Sequence, residues 1–378
     1  AAQGFEAKPS MQGWFGEADP HISPEASRLA WGAGRVIDAV ERAEGPFFVH
    51  WETNEPHLPN VVPEPFASMY RPEDCAPWAG FGDPLMGKPY IQGQQRRTWG
   101  IDDWEWEKWA PIVARYLGEI SLLDAQVGRV LDALDRLGLA ENTLVVYTPD
   151  HGDMCGSHGM VDKHYVMYDD IVRVPLLMRA PGNAAGRREA KSVSLVDLLP
   201  TFLDLATDGN PPAVVDPVDG YSLGAMLHGE DSARPDEVMV EFTAEGTIAP
   251  TLVLRQGAYK YIYCEPDPGL LYDLEADPHE LDNLCGKPEH AETEATMLGE
   301  ILKRWDPVAL KQQIIDSQQR RLYLQTVLMT GEASPWDFQP NFDATTQYLR
   351  TGNSPTQVKG LARFPYADPI PPDTPRTG

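Results

Sequence analysis

The chain has 378 residues, 42% hydrophobic and 23% charged, the balance of a globular protein with room for one large α/β domain and a smaller one. Its 31 basic against 57 acidic residues give a formal net charge of −26, which argues against nucleic acid or an anionic membrane as partner because the long-range field repels both. Cys75, Cys155, Cys264 and Cys285 are too few and too scattered for a disulfide scaffold or a C-x-x-C zinc site, and no apolar run reaches transmembrane length. Free thiols place the chain in a reducing compartment, the cytoplasm, with the periplasm as alternative because the opening A-A-Q-G reads as the middle of a longer protein.

In chain order, residues 29–44 carry a helical period, with Leu29, Ala30, Ala33, Val36, Ile37 and Val40 on one side. Gly45-Pro46 ends it, and Phe47-Phe48-Val49-His50-Trp51 is predicted as a buried strand with His50 in the core. That strand empties into Glu52-Thr53-Asn54-Glu55-Pro56-His57-Leu58-Pro59. Residues 60–100 are rich in Pro and Gly and predict a long excursion over the surface. Val113, Leu117, Ile120, Leu123, Val127, Val130, Leu131 and Leu134 predict an amphipathic helix over 112–137, capped by Gly138. Thr143–Tyr147 is a strand, a second apolar run spans Val172–Met178, and Leu195–Ala206 is a short helix. Helix-then-strand alternation predicts an α/β fold with a mostly parallel sheet sandwiched by helices, over residues 1–209.

After residue 210 the character changes. Val238–Phe242, Thr251–Arg255 and Tyr259–Tyr263 are short strands, and Asp277-Pro278-His279-Glu280 opens a helix-like stretch towards Trp305. Residues 210–306 therefore form a smaller α+β subdomain. Val308–Met329 is a polar helix, and the extended tail beyond it cannot make its own core, so 307–378 wraps the parent domain or reaches another subunit.

The chemistry concentrates in Thr148–His164, T-P-D-H-G-D-M-C-G-S-H-G-M-V-D-K-H. A strand that ends in Asp150-His151 puts a carboxylate and an imidazole where open α/β sheets bind ligands. Asp-His-Gly alone often only closes a loop. A hard oxygen beside a nitrogen also suits a divalent metal, whose identity depends on the remaining ligands. Lys163 suits an anionic oxygen and His164 a second donor, while His57, between two prolines, could protonate a leaving group. Asp153 and His158 could orient the loop; Trp104, Trp106 and Trp109 read as lid or core residues.

P-H-L-P, then T-L-V-V-Y-T-P-D-H-G-D, G-S-H-G-M-V-D-K-H and Y-D-D-I-V-R-V-P-L-L-M-R-A-P-G, in that order, resemble the type I sulfatases of the alkaline phosphatase superfamily. S-L-V-D-L-L-P-T-F-L-D-L-A and L-Y-D-L-E-A-D-P-H-E-L-D-N-L continue the likeness, which implies an alkaline-phosphatase-like α/β sandwich. It also implies metal ligation by Asp150 and His151, sulfate binding by Lys163 and leaving-group protonation by His57. Calcium is the implied ion, with manganese, magnesium and zinc left open.

The family's formylglycine motif, C/S-x-P-x-R, does not occur. Cys75-Ala76-Pro77-Trp78-Ala79 has Ala where Arg is required and follows P-H-L-P, so Cys75 is rejected as nucleophile. Gly4-Phe5-Glu6 resembles the G-F-D/E that follows the missing motifs. The expectation is that the nucleophile and first ligand pair lie outside this chain, which alone is inactive.

The tail, S-Q-Q-R-R-L-Y-L-Q-T-V-L-M-T-G-E-A-S-P-W-D-F-Q-P with D-A-T-T-Q-Y-L-R, resembles choline sulfatases and implies a homo-oligomer formed through it. The expected partner is then a small sulfate ester. A trimethylammonium group asks for a carboxylate, for which Glu241 and Glu245 are candidates. A phosphonate or phosphate monoester hydrolase on the same scaffold, or a non-catalytic fragment, are the alternatives.

Overall fold

The computed structural model describes residues 18–19, 22–163, 166–182, 186–210, 216–230, 232, 234–243, 247 and 249–331. In chain order the elements are β1 (Ala18–Asp19), α1 (Arg28–Glu41), β2 (Val62–Pro63), α2 (Tyr90–Trp99), α3 (Trp106–Arg136) and β3 (Val145–Tyr147). They continue with α4 (Asp169–Val172), β4 (Leu177–Arg179), α5 (Leu198–Ala206), α6 (Gly224–His228), β5 (Glu237–Phe242), β6 (Thr251–Gln256), β7 (Tyr259–Cys264), β8 (Leu270–Asp273), α7 (Ala291–Arg304) and α8 (Pro307–Leu328).

Helix α1 begins where the Ser27 side chain accepts the Ala30 amide at 3.1 Å, and it buries Leu29, Ala30, Ala33 and Val40. Its partner is α3, a 31-residue helix whose Leu122 and Leu123 meet Leu29 around Trp51, Phe66, Val127 and Tyr147. The predicted cap holds: Gly138 has φ of 69°, and Leu139 donates back to the Leu134 carbonyl at 2.9 Å. From β3 the chain enters the loop that carries the motif.

In the N-terminal half, hydrogen-bonded strands are few among the described residues. β1 pairs parallel with β2, and β3 pairs antiparallel with β4, Tyr147 opposite Leu177. Residues 47–51, predicted as a strand, form none; Phe48 is 79% exposed and leans on Phe202 with ring centroids 6.2 Å apart. A strand needs a neighbour for its amides, and no described segment pairs with this one. His50 is accordingly exposed, not in the core.

The excursion over 60–100 runs over the surface through residues 68–79 but turns inward on either side of them. It buries Asp83, Lys88, Gln92, Gln95 and Trp99 and carries α2. Such polar groups can be buried because they are partnered: Gln95 donates to the Val161 carbonyl at 2.7 Å.

Strands β5–β8 form an antiparallel meander with continuous register. Alternate residues face opposite sides, as the pleat requires. Leu252, Leu254, Tyr261 and Leu271 meet Met297 and Ile301 of α7. Val253, Ile262, Leu270 and Tyr272 meet Met154, Met160, Met167, Tyr168 and Ile171, directly behind the motif loop. The helix predicted from 277 begins only at Ala291, because the chain first folds back on β8, where Leu284 donates to the Leu271 carbonyl at 2.8 Å. No described helix is long and apolar enough to cross a membrane.

Candidate active site

Beyond β3, the Asp150 carboxylate is 86% exposed, and one of its oxygens accepts the His151 amide at 3.0 Å. His151 Nδ1 lies 2.8 Å from the Gly152 carbonyl, so Nδ1 carries the proton and Nε2 keeps its lone pair. That Nε2 is 3.5 Å from Asp150 Oδ2, a separation that two ligands of one cation span. Gly152 is required here: its amide donates to the Ile171 carbonyl at 2.8 Å, and a Cβ would come within 1.9 Å of the Asp170 carbonyl oxygen. The turn that presents the pair is thus pressed against α4.

The loop then doubles back. Met154 donates to the Asp162 carbonyl at 3.1 Å and Gly156 to the Met160 carbonyl at 2.8 Å. His158 sits at its tip with φ of 50°, fully buried and stacked on Tyr168 at 4.0 Å. Its Nδ1 lies 2.6 Å from Asp83 Oδ2, which also accepts from Lys88 Nζ at 2.5 Å. Burial opposes ionisation of Asp83, but the His158 and Lys88 hydrogen bonds outweigh it and hold the carboxyl at about 2. For Asp153, desolvation and then the Asp162 charge push the carboxyl up to about 7. Asp153 also accepts the Cys155 amide at 2.8 Å, and so steadies the turn after Asp150-His151.

The loop ends at Lys163, whose Nζ lies 2.6 Å from His57 Nε2 and 3.6 Å from Asp162 Oδ1. His57 Nδ1 donates to the Leu58 carbonyl at 2.7 Å, so Nε2 is the acceptor and the Lys163 ammonium the donor. Two residues 106 positions apart in sequence are thus joined by one hydrogen bond.

Asp150, His151, His57, Lys163 and Glu241 line one cavity of about 1130 Å³. Two predicted residues, His164 and Glu245, lie outside the described residues. Cys75 does not line the cavity; its thiol points at the Arg71 carbonyl at 3.6 Å. Trp104 and Trp109 pack edge to face, with centroids 5.3 Å apart and Trp109 fully buried, while Trp106 packs on Phe81. These are core residues, and the tryptophan on the cavity is Trp99.

Sequence reasoning passed over Asn54, Asp169 and Lys260, which also line the cavity. Lys260 is 1% exposed, with Nζ 2.8 Å from both Asp169 Oδ1 and Glu280 Oε1. Its signal was available in A-Y-K-Y-I-Y, where one lysine interrupts a buried strand. As donors for a divalent cation, Asp150 and His151 fit as a hard oxygen beside a nitrogen. Among the described residues no group of three or more His, Cys, Asp or Glu side chains converges.

The family model described as sulfatase matches residues 23–208, that for the C-terminal part of N-sulphoglucosamine sulphohydrolase matches 156–306, and that for the choline sulfatase C terminus matches 312–364. A choline-sulfatase of Rhizobium meliloti (strain 1021) is 33% identical over 364 residues, covering 93% of this chain and 68% of the relative. A multifunctional alkaline phosphatase superfamily protein, PehA of Trinickia caryophylli, is 30% identical over 71% of this chain and 58% of its own length. Among solved structures, the phosphonate monoester hydrolase of Agrobacterium radiobacter superposes with a TM-score of 0.65 at 27% identity, over 78% of this chain and 62% of that one. The Silicibacter pomeroyi enzyme gives 0.67 at 25%, over 80% and 67%. The chain thus spans between 58% and 68% of the length of the two curated relatives. With the α/β architecture, the ordered motifs and these matches together, the chain belongs to the sulfatase family of the alkaline phosphatase superfamily and carries a choline-sulfatase-type C-terminal segment.

Proposed function

We propose that this protein hydrolyses a small organic sulfate monoester, choline sulfate or a close analogue, by a metal-assisted mechanism with a formylglycine nucleophile. The observation that carries the reading is the contact between His57 and Lys163, 2.6 Å apart on the cavity that Asp150 and His151 also line. A departing alkoxide needs a proton where it leaves, and that pair holds one there. The Lys163 ammonium also answers the negative charge of a sulfate oxygen. Asp150 and His151 would hold a divalent cation, calcium first and manganese, magnesium or zinc after it, which when bound supplies a Lewis acid for the sulfate. On this reading the nucleophile is supplied outside these 378 residues, which contain no C/S-x-P-x-R.

Glu241, exposed on β5, supports a cationic leaving group, as does the aromatic lining contributed by Trp99 and Phe242. The net charge of −26 favours a substrate with a cationic end over a pure anion. His164 and Glu245 remain proposed members of the site on sequence grounds. Four unpaired thiols support a reducing compartment, the cytoplasm. Exposed Leu322, Tyr323, Leu324 and Leu328 on α8 support a homo-oligomer built through the C-terminal region.

A second reading, a phosphonate or phosphate monoester hydrolase, is favoured by the superposition on two phosphonate monoester hydrolases. Turnover of choline sulfate, an aryl sulfate and an aryl phosphonate by the protein from its natural source, with and without a chelator, separates the readings. Metal-dependent turnover fastest on choline sulfate is the expected result. Preference for the phosphonate selects the second reading, and no turnover of any ester overturns both.

A further inference from the structure

Behind His57 lies a buried polar pair that the proposed chemistry does not use. Glu119 is 4% exposed, on a face of α3 that otherwise buries Ile112, Val113, Leu122 and Leu123. Asn60 is fully buried, and its Nδ2 donates to Glu119 Oε2 at 2.6 Å and to the Pro56 carbonyl at 2.8 Å. Both amide hydrogens are thereby engaged, while Asn60 Oδ1 is buried with no partner. A buried carboxyl and an orphaned amide oxygen each cost stability. What the arrangement secures is the carbonyl of Pro56, the residue directly before His57.

The rest of the segment is held as tightly. The His57 amide donates to the Asn54 carbonyl at 2.8 Å, and its two ring nitrogens are engaged by the Leu58 carbonyl and the Lys163 ammonium. A path of direct contacts therefore runs from Glu119 through Asn60 and Pro56 to the imidazole.

We infer that Glu119 and Asn60 are positioning residues for His57: the Glu119 carboxyl fixes the rotation of the Asn60 amide, which clamps the Pro56 carbonyl and so aims the imidazole at Lys163. Its catalytic meaning rests on the sulfatase reading, but the positioning can be read without turnover. Burial pushes the Glu119 carboxyl up to about 8; the Asn60 hydrogen bond and the Arg28 cation pull against that shift, and the Glu55 charge adds to it. Arg28 and Glu55 are themselves paired at 2.7 Å, so their charges act on Glu119 in opposite senses. As an anion, Glu119 accepts from Nδ2 and the clamp on Pro56 is closed. As a neutral acid it carries a hydroxyl proton that suits the orphaned Oδ1, which the amide reaches only by turning Nδ2 away from Pro56.

The test is the pH titration of the His57 ring carbon Cε1 by NMR in the full-length protein, with its signal among the nine histidines assigned by its loss in H57Q. An inflection near pH 8 is expected in the wild type and should vanish in E119Q and N60S. A wild-type curve without that inflection overturns the inference, as does an inflection that survives in E119Q. If E119Q does not fold, the wild-type curve and N60S decide by the same criterion. In the turnover assay E119Q should lower kcat about tenfold with KM within about twofold. Absence of any sulfatase activity with the NMR inflection intact overturns the functional reading and leaves the positioning standing.

Discussion

The two halves of the molecule are similarly apolar in sequence and differently finished in space. In β5–β8 every strand has its partner, and both faces of the sheet are covered: Leu252, Leu254 and Leu271 are buried on one face, and Val253, Leu270 and Tyr272 on the other. Around β3 and β4, residues of the same kind are left half-buried or exposed. Helix α5 reads L-L-P-T-F-L-D-L-A and buries only Thr201; Leu177 is 61% exposed, and Leu199 is 54% exposed. An apolar run therefore specifies a need for partners, and only the surroundings decide whether the need is met. The site lies between these halves. Its motif loop starts from the sparse sheet at β3 and is backed by the complete sheet through Met154, Met160 and Tyr168.

That contrast makes the complete sheet the support of the site, and the largest effect should come from breaking the tie between them. Lys260 of β7 reaches Asp169 of α4 and Glu280, so K260M leaves two carboxylates facing each other without their cation. A loss of about 3–5 kcal/mol in chemical denaturation is expected, and a loss below about 1 kcal/mol would show that this tie does not hold the halves together. The contrast itself is sharpened by paired truncations. L254A in the covered sheet should cost about 2–5 kcal/mol, while L199A on exposed α5 should cost less than about 1 kcal/mol. Equal costs would mean that α5 is covered in solution by something that fills the role of α7.

Much of the site was legible because its chemistry is local in sequence. Asp150, His151 and Lys163 stand in one loop, and P-H-L-P marks His57 by the prolines that confine it; the structure brings all of them to one cavity. Lys260 was hidden because its partners are 91 and 20 positions away, so its pairing is set by tertiary contact. Glu119 was hidden for the same reason, as one acid on a helix whose other face is charged. The helices α1 and α3 were legible from their period of 3.6, and three strands of the meander as short runs between turn residues. Phe47–Trp51 misled because a strand's sequence states a face to bury without naming the neighbour that buries it. β8, four residues long, was missed because so short a run carries no readable period.

If His57 and Lys163 act as one proton-bearing unit on the cavity of Asp150 and His151, losing either costs nearly as much as losing both. The most direct measurement is a double-mutant comparison of kcat/KM for the sulfate ester in H57A, K163A and the double variant of the full-length enzyme. Each single change should lower kcat/KM by about 10²–10⁴-fold, and the double should fall little further, because either loss already breaks the pair. Single variants within about threefold of wild type, or losses that multiply in the double, would contradict the account.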